Sequence, residues 1–299
     1  MAWHYLNYDI THIFLTFTYM VLGAITVYAW YYRPTSNVSP IQKLFYPILL
    51  LGVLVRAVFM LMQPWIRESD LQIPNQANIV MNTLPSFLFF SNYLIVLFIW
   101  TEMYLIFNGG SMILVHRLPV IFNLIATLMY VTIIVLYALD FALYPLQYRT
   151  VSQFSETVEY IIGYYDGICF IVLALAFAGL GLCLVIKFRR PHQNFTEDKR
   201  KIILKRVSLV SLLVVVCFII RAFITLFAVN RFNLISGNWW WFDGIYFFGF
   251  EVVPIAIMLY LLRMNNSNSQ SPNHHIHYST NTKKQDFVKP NEYTQLLHP

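Results

Sequence analysis

Five ionisable side chains interrupt long apolar stretches of this 299-residue sequence: Arg56, Glu102, Asp166, Arg221 and Glu251. Charged groups are costly to place away from water, so each one needs a partner or a function. Two arginines among carboxylates can form buried ion pairs. The same residue types can also line a polar cavity for a ligand or a proton.

The composition indicates what surrounds these side chains. Hydrophobic residues make up 58% of the chain and charged residues only 11%, with a mean hydropathy of +0.59. Soluble domains carry about 25% charged residues. A membrane-spanning helix needs about 20 apolar residues, and seven stretches qualify: 12–32, 41–63, 84–107, 118–143, 160–187, 206–229 and 240–263. We therefore predict an all-α membrane protein, with a seven-transmembrane helix bundle over residues 1–263 and a disordered cytosolic tail over residues 264–299.

Lysine and arginine counts predict the orientation, because cytosolic segments carry an excess of both. The first, third and fifth loops together with the tail hold 15 of the 20 basic residues. The N-terminus and the other loops hold Arg67, Arg149 and Arg231. The N-terminus is therefore predicted to be lumenal or extracellular and the C-terminus cytosolic.

The intramembrane charges are predicted to share one level. At 1.5 Å of rise per residue, Arg56 and Arg221 lie about 10–12 Å from the lumenal ends of their helices. Asp166 lies at a comparable depth, and Glu251 is near the midplane. We expect these four residues to form a buried polar layer, which either locks the bundle or lines a cavity. Glu102 lies apart, towards the cytosolic end of the third span.

A local repeat connects two of these spans. The segments "VLVRAVFML" (53–61) and "FIIRAFITL" (218–226) align at Arg56 and Arg221, 165 residues apart. This offset fits two parallel three-helix halves joined by the fourth span. Such a 3+1+3 plan is typical of some small-solute carriers, so a proton-linked or small-solute transporter is one alternative function.

The basic residues concentrate between the fifth and sixth spans, in the cytosolic basic loop: Arg189, Arg190, Lys199, Arg200, Lys201, Lys205 and Arg206. Near a bilayer, each basic residue contributes about 1 kcal/mol of attraction to anionic lipid. These residues either enforce topology or bind anionic lipid and cytosolic proteins.

No arrangement of residues typical of catalysis appears, so we expect no enzymatic activity. Nor is there a Cys/His metal spacing, and we expect neither a cofactor nor a nucleic-acid partner. Seven spans with an outside N-terminus suggest an orphan receptor like those that couple to G proteins. The acidic-Arg-aromatic and Asn-Pro-x-x-Tyr motifs of the main receptor class are absent, and this alternative stays open.

The chain ends in "NEYTQLLHP". Glu292, Leu296 and Leu297 match the spacing of an acidic dileucine sorting signal, and Tyr293 with Leu296 matches a tyrosine-based one. Adaptor complexes read such signals as addresses in extended cytosolic tails. We therefore expect adaptor complexes among the partners of the tail.

Three blocks carry a family resemblance: "VRAVFMLMQPW", "NTLPSFLFFSNYLIVLFIWTEMY" and "YFFGFEVVPIAIMLYLLR". They resemble the tobamovirus multiplication protein family of plants and the related orphan seven-transmembrane lysosomal proteins of animals. The family-motif positions are Leu84, Pro85, Trp100, Glu102, Tyr104 and Pro254. Pro85 is expected in the first turn of the third span, where proline is well tolerated.

The resemblance implies a non-enzymatic protein of the lysosomal, vacuolar or endosomal membrane, with the plasma membrane as the alternative. It also implies a scaffold or regulator that recruits cytosolic partners, such as a small GTPase or its regulators. Nutrient signalling linked to the TOR kinase is the process that this resemblance suggests.

Overall fold

A computed structural model describes residues 2–32, 40–68, 73–107, 112–146, 157–189, 197–230 and 240–267. These residues are almost entirely helical and form no β-strand. Seven of the helical spans are long and apolar enough to cross a membrane. The predicted all-α, seven-helix membrane architecture is therefore confirmed. Which termini face the cytosol remains a prediction.

The helices are numbered in chain order. The first six spans are α1 (Ala2–Tyr31), α2 (Pro40–Glu68), α3 (Asn75–Phe107), α4 (Met112–Leu143), α5 (Thr157–Arg189) and α6 (Glu197–Asn230). The seventh span consists of α7 (Trp240–Phe247), a π-helical turn (Phe248–Val252) and α8 (Val253–Ser267). The predicted sorting residues Glu292, Tyr293, Leu296 and Leu297 lie outside the described residues, as does Arg190.

Six of the spans pack as a closed ring. In order, α1 packs on α2, α2 on α3, α3 on α5 and α5 on α6. The seventh span closes the ring by packing on both α6 and α1. One half of the ring is α1 to α3, and the other is α5, α6 and the seventh span. The two halves meet twice, once where α3 packs on α5 and once where the seventh span packs on α1. These two contacts are equivalent if the halves are repeats.

Helix α4 stands outside this ring and packs against α3 and α5. Only 17% of its apolar span is buried, compared with 78% of the α3 span. Tyr130 and Tyr137 of α4 form hydrogen bonds with Ser91 and Thr83 of α3. Helix α3 is therefore the most protected span, and α4 exposes most of its apolar surface.

The start of α3 differs from the prediction. The helix begins at Asn75, so Pro85 lies well inside it rather than in its first turn. The preceding turns are polar, but tertiary partners bury them: the Asn75 side chain donates a hydrogen bond to Glu159 at 2.8 Å, and that of Gln76 donates to the Pro145 carbonyl. Hydropathy alone missed this segment because Asn75 and Gln76 are polar, yet their side-chain amides donate to acceptors inside the protein.

The two helices that flank the cytosolic basic loop are longer than the spans predicted from hydropathy. Helix α5 continues to Arg189, and α6 begins at Glu197. Lys199, Arg200, Lys201, Lys205 and Arg206 therefore belong to the first turns of a helix, which continues directly into the apolar span at Val207.

Helices α5 and α6 approach closely at two glycines. A Cβ atom at Gly181 would lie 2.8 Å from Cβ of Ser211, and one at Gly167 would lie 2.8 Å from the Leu226 side chain. The Ser211 hydroxyl donates a hydrogen bond across this contact to the Phe177 carbonyl at 3.0 Å. Small residues at such contacts allow close backbone packing between membrane helices.

Candidate functional site: a buried carboxylate between two arginines

The seventh span presents Glu251 to the bundle from a π-helical turn. The Val253 N–H donates to the Phe248 carbonyl, five residues earlier, instead of the usual four. Pro254 follows immediately and has no N–H to donate, so a regular α-helical bond to the Phe250 carbonyl is impossible there. Such π-bulges occur frequently at functional sites.

Glu251 is only 1% exposed, and it lies at the centre of the polar contacts. Arg56 donates to both carboxylate oxygens, from Nη2 at 2.6 Å and from Nε at 3.0 Å. Nη1 of Arg221 lies 2.7 Å from Oε1. The Tyr19 hydroxyl donates to Oε2 at 2.8 Å. The carboxylate is thus held from α1, α2 and α6 at once.

Arg56 is completely buried, and all of its N–H groups have acceptors. In addition to its bonds to Glu251, Nη1 donates to the backbone carbonyl and side-chain oxygen of Asn82, at 2.9 and 3.1 Å. Nη2 also donates to Ser86 Oγ at 3.0 Å. Its guanidinium lies 4.9 Å from the ring centroid of Phe247. Full use of the five donors explains how this cation is accommodated without water.

Arg221 joins the same group from α6. Its Nη2 donates to Ser86 Oγ at 2.6 Å. The guanidinium lies 4.4 Å from the Phe170 ring centroid and 5.6 Å from that of Tyr246, which are cation–π distances. Its Nε is buried and has no hydrogen-bond partner within the described part of the chain. Arg221 is therefore less completely bonded than Arg56.

The fourth residue of the predicted layer, Asp166, is within electrostatic range of Arg221 but forms no ion pair with it. Asp166 is 4% exposed, and its Oδ1 has no hydrogen-bond partner among the described residues. The structure thus brings together Arg56, Arg221 and Glu251, while Asp166 stays outside their ion pairs.

Ser86 extends the internal repeat. It precedes Glu251 by 165 residues, the same offset that separates Arg56 from Arg221. Each arginine contacts both Ser86 and Glu251. The four residues therefore form one junction, to which each half of the ring contributes an arginine and a second polar residue. The second residue is Ser86 in one half and Glu251 in the other.

Sequence reasoning missed Tyr19, Asn82 and Ser86. The shared offset was a usable signal for Ser86. Asn82 lies in the segment of α3 that was predicted to be outside the membrane. Tyr19 offered no signal, since a single tyrosine in an apolar span is ordinary.

The motif residues Trp100, Glu102 and Tyr104 are in a different part of the bundle. Glu102 is partly exposed near the end of α3, away from the arginines. The Trp100 ring packs edge-on against Phe177 at 5.4 Å, and Tyr104 packs beside Leu184 and Val207. These residues join α3 to α5 and α6. Over the described ranges, no group of three or more His, Cys, Asp or Glu residues is placed to hold a metal ion.

Comparison with known proteins assigns the chain to a family. A family model for the THH1/TOM1/TOM3 domain matches residues 5–277, which is nearly the whole chain. No curated protein and no solved structure matches the chain. The matched region contains all seven spans and all residues of the arginine–carboxylate site. The chain therefore belongs to the THH1/TOM1/TOM3 family, the family of the tobamovirus multiplication proteins.

Proposed function

We propose that this membrane protein is a non-enzymatic scaffold or regulator, which recruits cytosolic partners to the membrane of a lysosome, vacuole or endosome. Its partners would be a small GTPase or its regulators, and the process would be nutrient signalling linked to the TOR kinase. The arginine–carboxylate site would hold the bundle together, and the cytosolic surfaces would carry the activity.

The observation that supports this proposal is the helical extension of α6 beyond its apolar span. Seven of its first ten residues, Glu197–Arg206, are charged, and five of those are basic. Ten helical residues extend about 15 Å. A rigid basic helix at the membrane surface can bind anionic lipid and an acidic protein surface at the same time.

Neutralising Lys199, Arg200 and Lys201 to glutamine should reduce co-purification of a small GTPase or its regulators at least tenfold. The loss is expected because the positive charge that attracts the partner is removed while the helix is retained. The measurement is quantitative mass spectrometry of proteins captured with the full-length chain from membranes.

The matched control neutralises Lys283, Lys284 and Lys289, which are equally basic but belong to the tail. This variant should retain the partners. If both variants retain the partner proteins equally well, the α6 extension is excluded as the binding surface.

The C-terminal leucines give a separate prediction about location. Changing Leu296 and Leu297 to alanine should move most of the protein from endolysosomal membranes to the cell surface, since adaptor complexes would no longer recognise the tail. Surface biotinylation measures the change. A surface fraction equal to that of the unmodified chain would exclude the dileucine as the address.

A transporter is the second candidate, because of one specific observation. The repeated Arg56–Ser86 and Arg221–Glu251 positions lie where the two halves of the six-helix ring meet. Parallel repeats around a shared polar site are typical of several carrier folds. In such a protein, the two halves would move against each other around the junction.

Transport has a direct test. Purified protein in lipid vesicles should carry protons or small solutes at a rate that Arg56→Gln or Arg221→Gln lowers at least tenfold. A pH-sensitive dye inside the vesicles reports proton flux, and counterflow of labelled solutes reports exchange. Flux no greater than that of protein-free vesicles would exclude this candidate.

A further inference from the structure

Asp166 is the one member of the polar layer that the ion pairs leave out. Its side chain is buried on α5, and Oδ1 has no hydrogen-bond partner in the described ranges. An ionised carboxylate in this position would be costly, because the side chain is buried and forms no direct contact with a cation among the described residues. The arrangement suits a neutral, protonated carboxyl group.

Arg221 provides the complementary group on the neighbouring helix. Its Nη1 and Nη2 contact Glu251 and Ser86, but its Nε–H is buried without an acceptor. Arg221 and Asp166 are within electrostatic range of each other. The Arg221 guanidinium lies 4.4 Å from the ring centroid of Phe170, which is one helical turn after Asp166 on α5. An unpaired donor on α6 and an unpaired acceptor on α5 therefore lie near one another.

We propose that Asp166 is a proton-binding site, and that its proton controls how Arg221 divides its contacts. In the arrangement seen here, the carboxyl group carries the proton, and Arg221 binds Glu251 and Ser86. When the O–H bond of Asp166 breaks, the proton passes to water and leaves a carboxylate. Arg221 then turns its Nε–H towards that carboxylate, and its hold on Glu251 and Ser86 weakens.

The other groups around Asp166 fit this assignment. Tyr137 of α4, Cys169 of α5 and Tyr246 of α7 lie within its electrostatic surroundings, together with Arg56 and Glu251. Tyr137 is already hydrogen-bonded to Thr83. Arg56 has no free N–H to offer, since all five are used. Arg221 is thus the cation among these groups that can respond to the charge on Asp166.

Bound protons can be detected by infrared spectroscopy of the full-length protein in lipid nanodiscs. A protonated carboxyl group absorbs at a carbonyl frequency that a carboxylate lacks. Between about pH 4, which is close to the ordinary pKa of carboxyl groups, and about pH 9, the unmodified chain should lose one such band as pH rises. Asp166→Asn should lack that band, and Glu102→Gln should retain it.

Arg221→Gln tests the coupling. Without the arginine, the carboxylate loses its partner, so the band should persist to a pH at least one unit higher, a tenfold change in proton affinity. Labelling of aspartate side-chain carboxyl carbons with carbon-13 should shift the band in the unmodified chain, which assigns it to an aspartate even if a variant fails to fold. The Asp140→Asn variant then tests Asp140, which is also buried.

A band that is absent from, or constant across, the whole pH range would overturn the proposal, as would a band that survives in Asp166→Asn. An unchanged titration in Arg221→Gln would overturn the coupling to the arginine. The proposal is independent of cytosolic partner recruitment, which these measurements do not involve.

Discussion

Replacing Glu251 with alanine is expected to destabilise the folded protein strongly. The change leaves Arg56 and Arg221 buried without the carboxylate that both contact, and Tyr19 loses its acceptor. Removing one partner from a buried ion pair costs about 3–5 kcal/mol. That is a large fraction of the about 5–15 kcal/mol that keeps a typical protein folded. The yield of monodisperse protein in detergent and the midpoint of thermal unfolding measure the effect.

Two further variants separate charge burial from a general loss of packing. Glu102→Ala removes a partly exposed carboxylate from α3 and should leave the midpoint almost unchanged. Arg56→Met and Arg221→Met combined with Glu251→Leu should be more stable than Glu251→Ala alone, because a buried ion triad can often be replaced by apolar residues of similar volume. If Glu251→Ala unfolds at the same temperature as the unmodified chain, the carboxylate does not stabilise the arginines.

Gly181→Ala is expected to have the next largest effect. Its new Cβ would lie 2.8 Å from Cβ of Ser211, and neither atom can move without separating α5 from α6. Overpacking of this kind costs about 1–3 kcal/mol. It also displaces the Ser211 hydroxyl from its bond to the Phe177 carbonyl. Thermal unfolding in detergent should show a lower midpoint.

Gly179 is the matched control, two residues away on the same helix. A Cβ atom there has no other atom within 4 Å, so Gly179→Ala should leave the midpoint unchanged or raise it, since alanine favours helix by about 1 kcal/mol. Adding Ser211→Gly to Gly181→Ala should restore part of the loss. Equal midpoints of thermal unfolding for Gly181→Ala and Gly179→Ala would show that α5 and α6 can separate without loss of stability.

Seven helices were predictable because long apolar stretches determine them directly. The common level of Arg56, Arg221 and Glu251 was also predictable, since rise per residue converts sequence position into depth. Their partners were not, because Tyr19 and Asn82 become neighbours of the arginines only through the order in which helices pack. Hydropathy likewise could not reveal that Asn75 and Gln76 are buried, or that a π-helical turn aims Glu251 at both arginines.

The ion pair between Arg56 and Glu251 also has a consequence for the order of events during synthesis. The two residues are 195 positions apart in the chain. A ribosome that adds about 5–20 residues per second needs about 10–40 s to make that length. Throughout this interval Arg56 has already been made, while its carboxylate has not. Arg56 must therefore stay at the insertion machinery, at the lipid boundary or beside Ser86 until the last span is made. Only then does Glu251 of the seventh span supply the negative charge that pairs with Arg56.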